Sequence, residues 1–222
     1  MKEVAPNVYQ IALFPRNSIN CYLVGDTLID AGIRSSGSKI IKAVKNRKIT
    51  KHVLTHAHAD HQGSSHYICT ELNIPLCTSE LEKENAESGD VIYEYPDSKH
   101  IIAQFQQKFW AGKGHKVAQT LKEGDTIGDF TVIETPGHSK GHISLFRESD
   151  KVLIVGDTLV NMNLLTTFVG LNEPPHLFTS DREVNRKSIK KLFDLKPKIM
   201  CFGHGPVLNN TGQFEKFISK IL

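Results

Sequence analysis

Between residues 55 and 61 the chain reads Thr55-His56-Ala57-His58-Ala59-Asp60-His61, with four side chains able to bind a metal inside six residues. A packed core does not tolerate that density, because a buried imidazole or carboxylate is costly unless it finds a partner. A divalent cation is a partner to all of them at once. The spacing also has geometric content. Residues two apart in an extended segment point the same way, so His56 and His58 can reach one ion while Ala57 faces the other side. Asp60 and His61 fall where the chain is expected to turn into a helix, from which they can point to a second ion beside the first. The competing reading, an exposed histidine-rich loop, is disfavoured because the rest of the chain supplies matching ligands.

Those matches are Pro136-Gly137-His138, Gly156-Asp157 and Gly203-His204-Gly205. Together with the first segment, His-x-His-x-Asp-His, they resemble the metallo-β-lactamase-fold hydrolases from about Val8 to His204. The resemblance implies an α/β fold, a four-layer αβ/βα sandwich, spanning residues 1–222 as a single domain. It also implies a ligand set. His56, His58 and His138 would hold a first metal, Asp60, His61 and His204 a second, and Asp157 would bridge both. The cofactors so implied are two divalent ions, zinc first, with iron or manganese as alternatives that the same donors suit. Such ions sit about 3.5–4 Å apart and lower the pKa of a shared water towards neutrality. The bridging hydroxide would attack an electrophilic carbonyl or phosphorus, and Asp60 is the candidate catalytic residue, accepting or relaying a proton. No Ser-His-Asp or Cys-His nucleophile is evident.

These residues need strands to deliver them. His52-Val53-Leu54 reads as a buried strand running into the first segment. Val8 to Phe14 suits a strand, and residues 20–30 a hairpin turning at Gly25-Asp26. Asp30 ends that hairpin, where it either orients a ligand imidazole or is satisfied by nearby backbone. A helix is expected from Ser38 to Arg47, and another after the metal segment with Tyr67, Ile68 and Leu72 inward. Ile74-Pro75-Leu76-Cys77 is a short strand. From Ser79 to Lys116 the chain turns polar, then carries Ile101, Ile102, Phe105 and Phe109 at helical spacing, a stripe expected to pack in the core or to cover the metal cleft. A second run of strands is expected to start at Leu121-Lys122-Glu123-Gly124-Asp125. Phe130 to Ile133 and a hairpin from Ile143 to Gly156 then lead to His138 and Asp157, echoing the first half. Residues 163–178 read as a loop. Asp181 is placed to cap a helix through Phe193, Ile199 to Phe202 delivers His204, and Thr211 to Leu222 reads as a closing amphipathic helix. This alternation argues for sheets covered by helices.

Composition narrows the class. The 222 residues, 39% hydrophobic and 23% charged, are ordinary for a globular enzyme. The net charge of +3 is spread along the chain, and its densest basic run, Lys45-Asn46-Arg47-Lys48, reads as a solvated helix end, so no nucleic-acid partner is expected. Cys21, Cys69, Cys77 and Cys201 form no Cys-x-x-Cys pair. The first residues lack the apolar core of a signal peptide, no run approaches a membrane span, and a cytoplasmic location is expected. His142 and His176 are candidates for supporting or substrate-contact roles. The other histidines, His52 and His100 among them, are expected to be core-satisfied or at the surface.

Within the resembling family, a small-molecule ester, thioester or lactone is the expected substrate. True β-lactamases with Asp-His in the motif generally lack the bridging aspartate. Acyl-homoserine lactonases typically have a tyrosine where Val160 stands here. Glyoxalase-II enzymes add a C-terminal helical domain, whereas 18 residues follow His204. A phosphodiesterase, a β-lactamase-like amide hydrolase and a non-catalytic metal-binding protein on the same scaffold are the alternatives.

Overall fold

Short apolar runs span a sheet, and the helical stripes between them cover it. A computed structural model describes residues 1–209 and 211–221. Seven strands, β1 (Lys2–Ala5), β2 (Val8–Ala12), β3 (Asn20–Val24), β4 (Thr27–Ile29), β5 (Lys51–Val53), β6 (Leu76–Ser79) and β7 (Val117–Leu121), lie side by side in sequence order. The first four are antiparallel, and β4 to β7 run parallel. Parallel neighbours need crossovers. These carry α1 (Gly37–Val44), then α2 (Ala59–Gln62) and α3 (Ser65–Leu72), then α4 (Lys83–Ser88) and α5 (Ile101–Phe109). Ile40 and Val44 of α1 and Ile68 of α3 pack with Leu23, Leu28 and Leu54 on the outer face of this sheet.

The second half repeats the plan. It contains β8 (Thr126–Ile127), β9 (Phe130–Glu134), β10 (Ile143–Arg147), β11 (Val152–Gly156), a hairpin of β12 (Val160–Met162) and β13 (Val169–Asn172), α6 (Arg182–Asp194), β14 (Ile199–Phe202) and α7 (Gly212–Ile221). The sheet order is β14-β11-β10-β9-β8. Ile189 and Leu192 of α6 and Phe214 and Ile218 of α7 cover its outer face against Leu153, Val155 and Phe202. The inner faces meet through Tyr22, Ile29 and Val53 on one side and Val132, Leu145 and Ile154 on the other. β10 and β11 are both buried along their length; Val152 to Val155 of β11 reads as a continuous apolar run, whereas β10 carries Ser144 and Arg147. The result is an α/β, four-layer αβ/βα sandwich. Asp181 caps α6 by accepting the Val184 N–H at 3.0 Å. Of the expected closing helix, Leu222 lies outside the described residues.

Four expectations are corrected. Tyr67 does not point inward. It is 43% exposed, with its ring over Gly37, because Ile68 and Cys69 take the core-facing positions of α3. The stripe Ile101, Ile102, Phe105, Phe109 forms a helix but faces outward, at 44–79% exposure. The inward positions of α5 are Ala103 and Gln106, and Ala103 clusters with Ala59, Val91 and Tyr95. Residues 163–178 are not all loop, since β13 pairs with β12 through Val160–Asn172 and Met162–Val169. Main-chain pairing holds this exposed strand, so it leaves no apolar alternation to read. Leu121 belongs to the first sheet, paired with Ser79, and the second sheet starts at Thr126.

Candidate metal centre

Strand ends and the short helix α2, which carries Asp60 and His61, deliver the site residues. β5 runs into Thr55, whose N–H donates to Asp30 Oδ1 at 2.8 Å. After a bend at Thr55, His58 is extended, at φ −68 and ψ 159, immediately before α2 begins. His138 follows β9, Asp157 follows β11 and His204 follows β14. Loops at strand ends, held by a rigid sandwich, are where binding groups concentrate.

The structure brings all seven of these side chains together. Ligand atoms lie within 4.8 Å of one another in the groups His56–His58–His138, His56–His61–Asp157 and Asp60–His61–His204. Asp157 Oδ2 stands 2.9 Å from His204 Nε2, 3.4 Å from His61 Nε2 and 3.9 Å from His138 Nε2, between the two outer groups. Asp60 Oδ2 is 3.3 Å from His204 Nε2. The Nε2 atoms of His56, His58, His61 and His138 and Oδ1 of Asp157 are buried without a hydrogen-bond partner. Buried polar atoms are almost always paired, and five orphans facing one another are what a cation would satisfy.

The electrostatics divide the cluster in two. Burial pulls His56 and His58 well below the usual histidine range and His138 down to about 4. Burial also opposes charge on His61 and His204, but there the carboxylates win. Asp157 and Asp30 raise His61, and Asp157 with Asp60 raises His204 to about 10. Despite burial, the His204 hydrogen bond takes Asp60 down to about 2.

Outer contacts aim these rings. His61 Nδ1–H donates to Asp30 Oδ2 at 2.9 Å, leaving Nε2 directed inward. Asp30 adopts φ 60, a conformation disfavoured for most L residues but tolerated by aspartate. The His204 Nδ1–H donates to the Ser18 carbonyl at 2.5 Å. Thr55 Oγ1 lies 2.9 Å from Asp30 Oδ2 and 3.0 Å from His56 Nδ1. If its hydroxyl donates to the carboxylate, it accepts from His56. Gly203 is required by space, because a Cβ there would meet Asp157 Oδ1 at 2.2 Å and His61 Cε1 at 2.6 Å.

Comparison with known proteins gives this cluster its context. The Metallo-beta-lactamase superfamily has a model that matches residues 15–204. The chain belongs to that superfamily. Among its relatives, the Probable metallo-hydrolase YflN of Bacillus subtilis is 32% identical over 199 residues, covering 80% of this chain and 74% of the relative. The Uncharacterized protein YobT of the same organism is 31% identical, covering 93% and 91%. Among solved structures, TTHA1623 in a di-iron-bound form superposes with a TM-score of 0.71 at 25% identity, covering 90% of this chain and 94% of that one. The BLEG-1 B3 metallo-beta-lactamase gives 0.73 at 24%, covering 96% and 99%. Membership supports metal-dependent hydrolysis as the general class of activity.

Within this metallo-beta-lactamase scaffold the other histidines separate. His142 joins no metal-binding group, since its Nε2 accepts the Asp157 N–H at 3.0 Å and its Nδ1 lies 2.8 Å from Thr135 Oγ1. It holds the Asp157 backbone. His176 lies in a short turn, 176–178, outside those groups. His52 is core-satisfied by the Leu28 carbonyl and Ser65 Oγ, and His100 caps α5. Two neighbours had no signal in the sequence. Tyr95 sets its ring edge-on to His58 at 4.7 Å, backed by Phe178 at 5.4 Å, and donates its hydroxyl to Gln106 Oε1 at 2.9 Å. Glu82 is buried with its carboxylate against the main chain of two ligand-bearing loops. A lone aromatic and a lone acid in polar stretches carry no spacing to read.

Proposed function

We propose that the protein is a two-metal hydrolase acting on a small ester, thioester or lactone. In this reading His56, His58 and His138 hold one ion, Asp60, His61 and His204 the other, and Asp157 serves both. The observation that carries it is the convergence of the five orphaned ligand atoms on one space. The di-iron-bound TTHA1623 supports two ions and keeps iron beside zinc and manganese as the metal. Bound there, a pair of divalent cations supplies an activated water and polarises the substrate oxygen.

The chain's own groups do the rest. Asp60 is the most exposed of the seven ligands, at 13% for its side chain against 6% for Asp157. In this reading its carboxylate takes a proton and passes it to the leaving group. Tyr95 and Phe178 stack an aromatic wall on His58, which excludes water from that side and suits an acyl or aromatic group. The lysines of α7, Lys216 and Lys220, are exposed while Phe214 and Ile218 dock that helix. This reading therefore draws no substrate contact from these lysines and does not favour a glutathione thioester. The ribbon β12–β13 starts three residues after Asp157, and in this reading it contributes to the substrate contacts.

A hydrolysis screen of the metal-loaded protein tests this, across thioesters including S-lactoylglutathione, lactones, phosphodiesters and β-lactams. Neutral thioesters or lactones should give the highest kcat/KM, and Asp157→Ala should lose both turnover and bound metal by elemental analysis. Preferred turnover of a phosphodiester or β-lactam would replace the substrate assignment. Two bound ions with no turnover on any arm would leave a metal-binding protein.

A further inference from the structure

The two ligand groups are supported unequally. His61 has a carboxylate, Asp30, on its outer nitrogen at 2.9 Å, and the outer nitrogen of His204 is fixed on the Ser18 carbonyl. In the first group no outer imidazole nitrogen meets an acid. His56 meets only the Thr55 hydroxyl, and His138 Nδ1 lies 3.4 Å from Thr179 Oγ1. Outer partners of metal ligands set ring orientation and affinity, so the first group needs support from elsewhere.

Glu82 stands in that position. It ends the short turn 80–82 after β6 and is 1% exposed. Its Oε2 accepts the Ala57 N–H at 2.8 Å, the amide between His56 and His58. Its Oε1 accepts the Ser139 hydroxyl at 2.5 Å, one residue after His138, and the Gly141 N–H at 3.0 Å. Ser79, from the same segment, donates its hydroxyl to the Gly141 carbonyl at 2.6 Å. The fit is close, because a Cβ on Gly141 would lie 2.4 Å from Ser79 Oγ and 2.8 Å from Glu82 Cγ. All three partners of Glu82 are neutral donors. A carboxylate buried without a basic partner is expensive, and both of its oxygens are spent on the two loops that carry His56, His58 and His138.

We propose that Glu82 is the positioning residue of the first metal site: one buried carboxylate locks the His56–His58 and His138 loops in register, so that this site alone depends on it. The proposal rests on the two-metal reading above. Its asymmetry is specific. Asp30 touches His61 directly and reaches His56 through Thr55, whereas Glu82 bonds only the loops of the first site.

Glu82→Gln isolates the effect. A glutamine of the same shape can accept with its oxygen, but its NH2 must face a main-chain or hydroxyl donor in one loop or the other. The measurement is chelator competition on metal-loaded wild-type, Glu82→Gln and Asp30→Asn proteins, with anomalous diffraction from the loaded crystals to assign each ion to its site. Glu82→Gln should weaken the His56–His58–His138 site by roughly 10–100-fold and leave the Asp60–His61–His204 site unchanged, whereas Asp30→Asn, which touches His61 directly and His56 through Thr55, should weaken both. Ser139→Ala removes one of the three bonds and should give the same site-selective loss to a smaller degree, which keeps the test available if Glu82→Gln does not fold. Equal weakening of both sites by Glu82→Gln, or no change in that variant when folded, would overturn the assignment. Fewer than two ions on the wild-type chain would overturn the two-metal reading along with it. Because the readout is occupancy, the absence of turnover on the screened substrates leaves this result standing.

Discussion

At the scale of single residues, the histidines of this chain differ by what burial and neighbours do to their protons. His52 is the case outside the metal cluster. Its Nδ1–H donates to the Leu28 carbonyl at 3.1 Å and its Nε2 accepts from Ser65 at 2.9 Å, and burial lowers its pKa from 6.5 to about 4. The folded protein therefore resists a proton that the unfolded chain accepts. Stability from the neutral form is fully present above pH 6.5 and is lost as pH falls towards 4, a difference of about 3 kcal/mol. Urea unfolding of the chelated protein at pH 7 and pH 4.5 should show a smaller acid loss for His52→Gln than for the wild type. Equal losses would mean that the site is open to water. Residue chemistry was legible where it was dense in sequence. His56 to His61 announced a metal on spacing alone, whereas His138, Asp157 and His204 are single residues beside glycines, and only family resemblance picked them out. Glu82 was illegible, because Glu80-Leu81-Glu82-Lys83-Glu84 has the composition of a solvated turn.

At the scale of elements, α5 shows why a correct helix was given the wrong face. Apolar spacing predicted the period, but the interior selected the small side. Ala103 allows close approach to Ala59 in α2, the residue between His58 and Asp60, and Gln106 is the acceptor for Tyr95. Substitutions on the two faces should separate cleanly. Phe105→Ser and Phe109→Ser should change unfolding free energy by no more than about 0.5 kcal/mol, as exposed positions do. Ala103→Leu should destabilise by about 1–3 kcal/mol through overpacking. The opposite ranking in urea titrations would put the apolar face inward after all. Strand pairing was legible where a tight turn set it, as at Gly25-Asp26. It was not legible where partners are far apart, as for β7 against β6, whose register is set by a crossover of about 40 residues rather than by local pattern.

At the scale of the whole molecule, each proposed ion draws ligands from both halves: His56 and His58 with His138, Asp60 and His61 with His204. The metals would thus act as staples across the two sheets. A ligand bound only by the native state adds about 2.7 kcal/mol at a free concentration one hundred times its dissociation constant. Chelation should lower the melting temperature, and zinc or manganese should restore it. An unchanged melting curve after verified removal of metal would contradict the staple. The layered architecture itself was legible from strand–helix alternation and from the echo between the halves. Gly203 has a consequence of a different kind. Glycine and alanine codons differ by a single nucleotide, and a methyl at that position would force the Asp157 and His61 side chains to shift. One base change therefore separates the heredity of the scaffold from the heredity of its chemistry. Gly203→Ala should be expressed and folded, with a circular-dichroism spectrum like that of the wild type, yet bind less metal, so a lineage can fall silent at one codon while still inheriting the whole protein.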